Sequence, residues 1–193
     1  MLEQQSAELS ELDRGIQQCT HCPLHKSRTH AVPGEGNPQA RVMSIGEAPG
    51  ETEDEQGRPF VGPAGRFLNV LLKQAGLQRN AVFITNSVKC RPPTNRFPHV
   101  EELKTCKTLW LDRQLALIKP QIVILLGKAS LKQMLGEIGP LQQLHGQERR
   151  HNSRSYFIHY HPAAGLRSPA IRSIMEQDFL ALKNLLQVVH KEA

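Results

Sequence analysis

The stretch of residues 46–65 is too rich in glycine and proline to form a regular helix or strand, with five glycines and three prolines in twenty positions. It follows a short apolar run, residues 41–45, and it precedes residues 64–75, whose apolar side chains recur at helical spacing. The stretch therefore predicts an irregular loop at the carboxyl end of a strand, leading into a helix. Open α/β sheets bind their ligands in loops of this kind.

Strand-like and helix-like segments alternate along the rest of the chain. Apolar runs predict further strands at residues 81–85, 121–126 and 155–160. Helical patterns lie at residues 2–18, 64–76, 99–118 and 127–136, and after residue 168. This alternation predicts an α/β fold with a mainly parallel sheet that helices cover on both faces. A length of 193 residues predicts one domain.

The charge of the chain favours a polyanionic partner. The net charge is +6 and the pI is about 9.4, which favours nucleic acid, although many soluble proteins are equally basic. No apolar run approaches the roughly 20 residues that a membrane-spanning helix needs. Residues 1–13 are too polar and acidic for a signal peptide. We therefore expect a cytoplasmic protein in a reducing compartment, with no membrane partner.

The four cysteines are the candidate metal ligands. Cys19 and Cys22 form a C-x-x-C pair at the end of the first helix, Cys90 lies in the loop after the second strand, and Cys106 lies in the next helix. In a reducing compartment such cysteines more often bind metal than form disulfides, and the alternative is four unliganded core thiols. The spacing leaves zinc and an iron–sulfur cluster both open. Either group would join the amino terminus to the loop at Cys90, which is a structural role.

Three segments and the cysteines together resemble one known family. The segments are Gly46-Glu47-Ala48-Pro49-Gly50 with Glu53-Asp54 and Gly57-x-Pro59-Phe60-Val61-Gly62, then Asn86-x-x-Lys89-Cys90-Arg91-Pro92-Pro93-x-Asn95-Arg96, and last His161-Pro162-Ala163-Ala164-x-Leu166-Arg167. In this order they resemble motifs of the bacterial and archaeal iron–sulfur uracil-DNA glycosylases, family 4 of their superfamily. The resemblance covers the chain from about Cys19 to the last helix.

The resemblance implies a three-layer α/β/α sandwich around a four-stranded, mainly parallel sheet, as one domain of residues 1–193. Residues 1–30 would hold the N-terminal helix and the first two ligands of a 4Fe-4S cluster on Cys19, Cys22, Cys90 and Cys106. The implied activity is that of a monofunctional DNA glycosylase of base-excision repair, which releases uracil and leaves an abasic site. Expected partners are uracil-containing DNA, single- or double-stranded, and repair or replication proteins. The protein itself is expected to be a monomer.

The sequence departs from the family pattern at two places. Gly165 stands where a larger apolar residue is common, so the loop of the last motif would meet DNA differently, and His145-Gly146 stands where Arg-Gly is common. A related branch forms covalent adducts with DNA and carries an inserted basic stretch in its central loop. Pro93 and Cys106 are too close for that insertion, so we expect no crosslinking.

Three residues of these motifs suit recognition and release of a flipped uracil. Phe60 offers a stacking surface, and the alternative is that it only packs the loop on the core. The Asn86 amide offers an acceptor to uracil N3–H and a donor to O4, the reverse of what cytosine needs; otherwise it is a turn residue. His161 would donate a hydrogen bond to uracil O2 as negative charge develops there.

Two acidic residues are the candidates for ordering water. In the better-known branch of the superfamily an aspartate stands at the position of Ala48, which cannot activate water. We expect Glu53 to position the water and Glu47 to order the loop, with Ala48 and Gly50 against the substrate. The alternative is that both carboxylates are solvated or cap the following helix. Asn95 is a further candidate for contact with the substrate.

Contacts with the DNA strand are expected from the basic residues of the last two motifs. Lys89, Arg91, Arg96 and Arg167 would meet phosphates, and Leu166 would fill the gap left by the flipped base.

Two other functions stay open. One is a non-catalytic iron–sulfur DNA-binding or sensing module, and the other is a zinc-stabilised nucleotide hydrolase, which the acidic loop alone suggests.

Overall fold

The computed structural model describes residues 2–136, 139–152 and 154–191. The other positions of the predicted domain of residues 1–193 lie outside these ranges. The α-helices are α1 (Leu2–Gln17), α2 (Glu51–Gln56), α3 (Pro63–Gln74), α4 (Val100–Cys106), α5 (Asp112–Ile118), α6 (Lys128–Leu135), α7 (Leu141–Leu144), α8 (Pro162–Arg167) and α9 (Pro169–Lys191). The strands are β1 (Glu35–Gly36), β2 (Val42–Gly46), β3 (Val82–Asn86), β4 (Ile122–Leu126), β5 (Glu148–His151) and β6 (Arg154–His159). Each helix in these ranges is too short or too polar to span a membrane.

Within the described ranges the strands form one six-stranded sheet in the order β1-β3-β2-β4-β6-β5. The four central strands pair in parallel, whereas β1 and β5 pair antiparallel with their neighbours at the two edges. The predicted α/β class and mainly parallel sheet are confirmed, but the predicted number of four strands is too small by the two edges. Neither edge has an apolar pattern that could reveal it, since β1 has two residues and β5 reads Glu-Arg-Arg-His.

Helices cover both faces of the sheet. Along β4, Val123 and Leu125 pack into one core cluster, whereas Ile122, Ile124 and Leu126 pack into the other. The first cluster contains side chains of α1, α4 and α5, and the second contains side chains of α3 and α9. This alternation confirms the three-layer arrangement and explains why β4 is apolar throughout.

The loop after β2 contains a short helix that its glycine and proline content did not predict. Helix α2 begins after Gly50 with an acidic first turn, which suits the partial positive charge of a helix N-terminus, and it ends at Gly57 with a φ of 67°. The buried carboxylate of Asp54 accepts hydrogen bonds from the main-chain amides of Thr29 and His30. The acidic loop is therefore fixed to the segment that follows the C-x-x-C pair.

Candidate active site

A pocket of about 380 Å³ opens at the carboxyl ends of β2, β3 and β6. Parallel strands end at the same edge of a sheet, so the motifs that follow them meet there. All of the predicted catalytic and substrate-binding residues line this pocket, with two of the predicted DNA contacts. The lining consists of Glu47, Ala48, Pro49, Gly50, Glu53, Phe60, Ala64, Asn86, Pro92, Asn95, Arg96, His161, Ala163 and Arg167.

Asn86 ends β3, lines the pocket and has an unpaired side-chain oxygen. The residue is 2% exposed, and its side-chain Oδ1 has no hydrogen-bond partner within the described part of the chain. Leaving a buried amide oxygen unpaired costs about 1–3 kcal/mol, so such an atom indicates a place for a ligand donor. The main-chain oxygen of Asn86 is held by the ammonium of Lys89 at 2.9 Å.

Phe60 forms an aromatic wall of the pocket in an unusual backbone conformation. Its φ is 51°, a region that residues other than glycine rarely adopt. The ring lies 5.7 Å from the His161 ring, centroid to centroid, and is tilted from it by 31°. Two glycines make the room, because a Cβ on Gly46 would lie 2.5 Å from the Phe60 ring and one on Gly65 would lie 1.8 Å from its main-chain oxygen.

His161 is a neutral hydrogen-bond donor. It caps α8, and its Nδ1 accepts a hydrogen bond from the main-chain amide of Ala163 at 3.3 Å. Burial, with a smaller contribution from the positive charge of Arg167, lowers the pKa of His161 to about 4. A neutral imidazole whose Nδ1 accepts carries its proton on Nε2, so the free N–H of His161 is available to a ligand.

The hydrogen bonds of the two pocket carboxylates differ from what the predicted roles would lead one to expect. Glu53 Oε1 accepts hydrogen bonds from the main-chain amides of Val61 at 2.9 Å and Gly62 at 2.7 Å, so Glu53 orders the loop. The main-chain oxygen of Glu47 accepts a hydrogen bond from the amide of Val88 at 3.2 Å, but its carboxylate has no hydrogen bond or ion pair with the residues that the structure describes. Burial raises its pKa above the ordinary value. Glu47 is therefore the carboxylate that could hold a water molecule.

The basic residues at the rim differ in how firmly they are held. Arg96 forms a two-point ion pair with Glu102 at 2.7 and 2.9 Å. Arg91 donates to Asn95 Oδ1 at 2.8 Å and pairs with Glu51 at 3.2 Å, which joins the central loop to α2. Asn95 also has a positive φ, 55°, so the loop is strained where it borders the pocket.

The end of α8 projects two different side chains beside the pocket. Leu166 is 46% exposed, which is unusual for a large apolar residue. The side chain of Arg167 is exposed and has no hydrogen bond or ion pair among the described residues. Gly165 lies against α3 and α9, because a Cβ there would lie 2.6 Å from the Phe67 ring and 2.9 Å from Met175 Sδ. A larger residue at position 165 would therefore clash with side chains of α3 and α9, so the glycine lets α8 pack closely against them.

Lys89 is not at the surface, so the prediction that it contacts phosphate is wrong. The residue is 1% exposed, and its Nζ donates to Thr85 Oγ1 at 2.5 Å, Gln114 Oε1 at 2.7 Å and the main-chain oxygen of Asn86. Burial lowers the pKa of Lys89 to about 8. Its ammonium is used entirely in fixing the end of β3.

The four cysteines line one small cavity between α1, the loop after β3 and α4. Two of the sulfurs accept an N–H donor, because the Trp110 indole donates to Cys19 at 3.2 Å and Arg28 donates to Cys90 at 3.1 Å. Such donors favour the thiolate, the form that binds metal, whereas burial raises the pKa of Cys22 and Cys90 and raises that of Cys106 to about 12. No group of three or more His, Cys, Asp or Glu side chains in the described ranges is arranged around a single metal ion.

Several residues of the site were not predicted from the sequence. Ala163 fixes the tautomer of His161, and the helix-capping pattern of His161 before Pro162 could have indicated it. Glu102 neutralises Arg96, and no pattern in the sequence pairs these two residues. Arg28 reaches Cys90 across 62 positions of the chain, so only the folded structure reveals that contact.

The chain is similar to known proteins over most of its length. A family model described as the uracil DNA glycosylase superfamily matches residues 33–183. The type-4 uracil-DNA glycosylase of Sulfurisphaera tokodaii is 42% identical over 92% of this chain and 84% of that protein. The protein of that name from Saccharolobus solfataricus is 45% identical over 89% and 83%, and the one from Pyrobaculum aerophilum is 44% identical over 89% and 91%.

Proposed function

The chain belongs to the uracil-DNA glycosylase superfamily, and within it to the type-4 uracil-DNA glycosylases, and we propose that it hydrolyses the N-glycosidic bond of deoxyuridine in DNA. The products are free uracil and an abasic site in an unbroken strand, as base-excision repair requires. The observation that carries this proposal is the buried, unpaired Oδ1 of Asn86 in a pocket whose other walls are Phe60 and neutral His161.

Recognition follows from the pattern of donors and acceptors in the pocket. The uracil leaves the base stack and lies against the ring of Phe60. Asn86 Oδ1 accepts a hydrogen bond from uracil N3–H, and the amide nitrogen donates to O4. Cytosine has an acceptor at N3 and a donor at C4, so it would leave both groups of Asn86 unpaired.

Cleavage of the bond from C1′ to N1 leaves the electron pair on the base and positive charge on the sugar. His161 donates its Nε2–H to uracil O2, where negative charge develops. Glu47 faces the cationic sugar and orients a water molecule, which forms the new bond to C1′ and gives up a proton. The released uracil anion then takes a proton from solvent. The chain needs no aspartate at Ala48, because Glu47 is the adjacent residue and its carboxylate is free.

The proposed enzyme holds a 4Fe-4S cluster on Cys19, Cys22, Cys90 and Cys106. All four cysteines line one cavity, and the sulfurs of Cys19 and Cys90 accept N–H donors, which supports this assignment over that of unliganded core thiols. When bound, the cluster supplies a covalent link between the end of α1 and the loop that follows Asn86. We further infer that the chain works as a single domain and a monomer in the cytoplasm, on single- or double-stranded DNA.

DNA contacts in this proposal come from Arg91, Arg96 and Arg167 to phosphates, and from Leu166 at the gap in the stack.

The test is release of free uracil from an oligonucleotide with one deoxyuridine, beside matched oligonucleotides with thymidine or deoxycytidine at that position. We expect uracil release alone, with an intact strand until the abasic site is cleaved by alkali. Tight DNA binding with no release would instead indicate a non-catalytic binding or sensing protein.

A further inference from the structure

The conformation of Phe60 requires a restraint from outside the pocket. A φ of 51° in a residue with a side chain costs of order 1–3 kcal/mol and persists only where the surroundings fix it. The residues on either side, Pro59 and Val61, belong to an irregular segment between α2 and α3. A restraint on this segment would therefore fix the wall against which a base stacks.

Arg79 supplies such a restraint, although it belongs to none of the motifs and does not line the pocket. It begins the short 3-10 turn Arg79–Ala81, immediately before β3. Its Nη2 donates to the main-chain oxygen of Pro59 at 2.7 Å, and its Nη1 donates to that of Phe60 at 3.2 Å. Two consecutive carbonyl groups are thus bound by one guanidinium.

The guanidinium of Arg79 is itself immobilised. Its Nε and Nη2 donate to Glu35 Oε1 of β1 at 3.1 and 2.6 Å, and its Nη1 donates to Asn69 Oδ1 of α3 at 2.9 Å. With the two carbonyl bonds, all five N–H groups of Arg79 have an acceptor. Glu35 is fixed in turn because β1 pairs with β3 at Ile84. The side chain of Arg79 is also only 24% exposed, so water competes weakly for these bonds.

We propose that Arg79 is a positioning residue for base recognition: it fixes the main chain at Pro59 and Phe60 and so holds the Phe60 ring in place for stacking. This inference rests on the proposed function, because it gives Phe60 a base to bind. The link between Arg79 and the base is the strained backbone of Phe60 alone. A lysine at this position has only three N–H donors, all on one nitrogen, so it could not bond all four acceptor groups.

The test compares Arg79→Ala and Arg79→Lys with Arg150→Ala. Arg150 is a control, because it also pairs with a glutamate, Glu148 at 3.3 Å, but lies on edge strand β5 and does not bond the segment at Phe60. The first measurement is amide hydrogen exchange in residues 58–64, which needs no activity. The second is kcat/KM for uracil release, with each substitution also made in a Phe60→Leu background, and the third is affinity for DNA that carries an abasic site.

We expect Arg79→Ala to speed exchange in residues 58–64 and to lower kcat/KM about 10-fold, the effect of losing one stacked base. Arg79→Lys should give a smaller loss, and Arg150→Ala should change neither quantity. In the Phe60→Leu background, Arg79→Ala should have little further effect, and affinity for abasic DNA should be unchanged throughout. Unchanged exchange, or an equal loss with and without Phe60, would overturn the proposal. If the unaltered protein released no uracil, the proposed function would fail, while the exchange data would still decide whether Arg79 holds the segment.

Discussion

The main-chain amide of Ala163 donates to Nδ1 of His161 at 3.3 Å, and this contact fixes which nitrogen of the imidazole carries the proton. The ring needs no positive charge to act, because its Nε2–H can stabilise charge on a leaving uracil as a neutral donor. Burial and the nearby Arg167 both disfavour the charged form, so the neutral state persists well below neutral pH.

The pH dependence of uracil release tests this protonation state. The pKa of His161 is about 4 in the folded protein, below the ordinary value of 6.5. The contribution of the neutral ring to stability is therefore complete above pH 6.5 and is lost as the pH falls toward 4. We expect kcat/KM to show no histidine inflection near 6.5, and any acidic limb should survive in His161→Asn, since it belongs to Glu47. A limb centred near 6.5 that disappears in His161→Asn would contradict this account.

The two pocket carboxylates should respond differently to loss of charge. Glu47→Gln should lower kcat roughly 100-fold, the usual scale for losing a group that assists proton transfer, with little change in Tm. Glu53→Gln keeps an oxygen for the amides of Val61 and Gly62 and should retain most activity. Glu53→Ala leaves both amides unpaired and should destabilise the fold by about 1–3 kcal/mol. Equal losses of kcat from Glu47→Gln and Glu53→Gln, without a change in Tm, would contradict the assignment of Glu47 as the carboxylate that orients the water.

Removal of the Asn86 amide should weaken recognition of uracil. Asn86→Ala leaves the N3–H of the flipped base without its acceptor, so kcat/KM should fall about 10- to 100-fold. The matched control is Asn37→Ala, whose side chain accepts only from the amide of Gln39 and does not line the pocket. The measurement is kcat/KM for steady-state uracil release by each variant. An equal fall in kcat/KM in both variants would count against Asn86 as the recognition residue.

Salt dependence separates Arg167 from basic residues elsewhere. If Arg167 contacts one phosphate, Arg167→Ala should reduce the slope of log Kd against log salt by about 1. Arg149→Ala is the control, since Arg149 lies on edge strand β5 and bonds neighbouring residues there. A slope that changes with Arg149 and not with Arg167 would place the DNA on a different face.

Loss of the proposed cluster should loosen the loop that follows β3. Cys106→Ser should abolish bound iron and visible absorbance, lower Tm and reduce uracil release, because residues 86–96 lose their link to α1. Trp110→Phe removes the indole N–H to Cys19 Sγ and part of a buried ring but no cluster ligand, so it should keep its iron. Iron retained in Cys106→Ser, or zinc in place of iron in the unaltered protein, would be evidence against a cluster on these four cysteines.

The sequence predicts the position of the pocket well, because its residues follow apolar strands. Phe60, Asn86 and His161 meet for that reason, since each lies at or beyond the carboxyl end of a strand in one parallel sheet. Burial is harder to predict. The KCR sequence around Lys89 has the composition of a basic surface loop, yet Lys89 turns inward because Thr85, Gln114 and a main-chain oxygen satisfy its three N–H groups.

Partnerships between distant side chains explain the other differences. The sequence does not show whether Glu47 or Glu53 orients the water. Only the position of the amides of residues 61 and 62 shows which carboxylate is already bonded. The contacts of Arg79 are also hidden in the sequence, because the carbonyls that it binds lie about twenty positions earlier in the chain. The edge strands β1 and β5 have no apolar pattern, since one is very short and the other is polar.

The most direct test of the central claim is release of free uracil from single-stranded DNA by the iron-loaded protein and by an Asn86→Ala/His161→Ala double variant. The account predicts stoichiometric and repeated release by the unaltered protein. It predicts a loss of at least 100-fold in the double variant, roughly the combined scale of one recognition and one charge-stabilising contact, with abasic-site DNA still bound. Release at the unaltered rate by the double variant would contradict the assignment of this pocket as the active site.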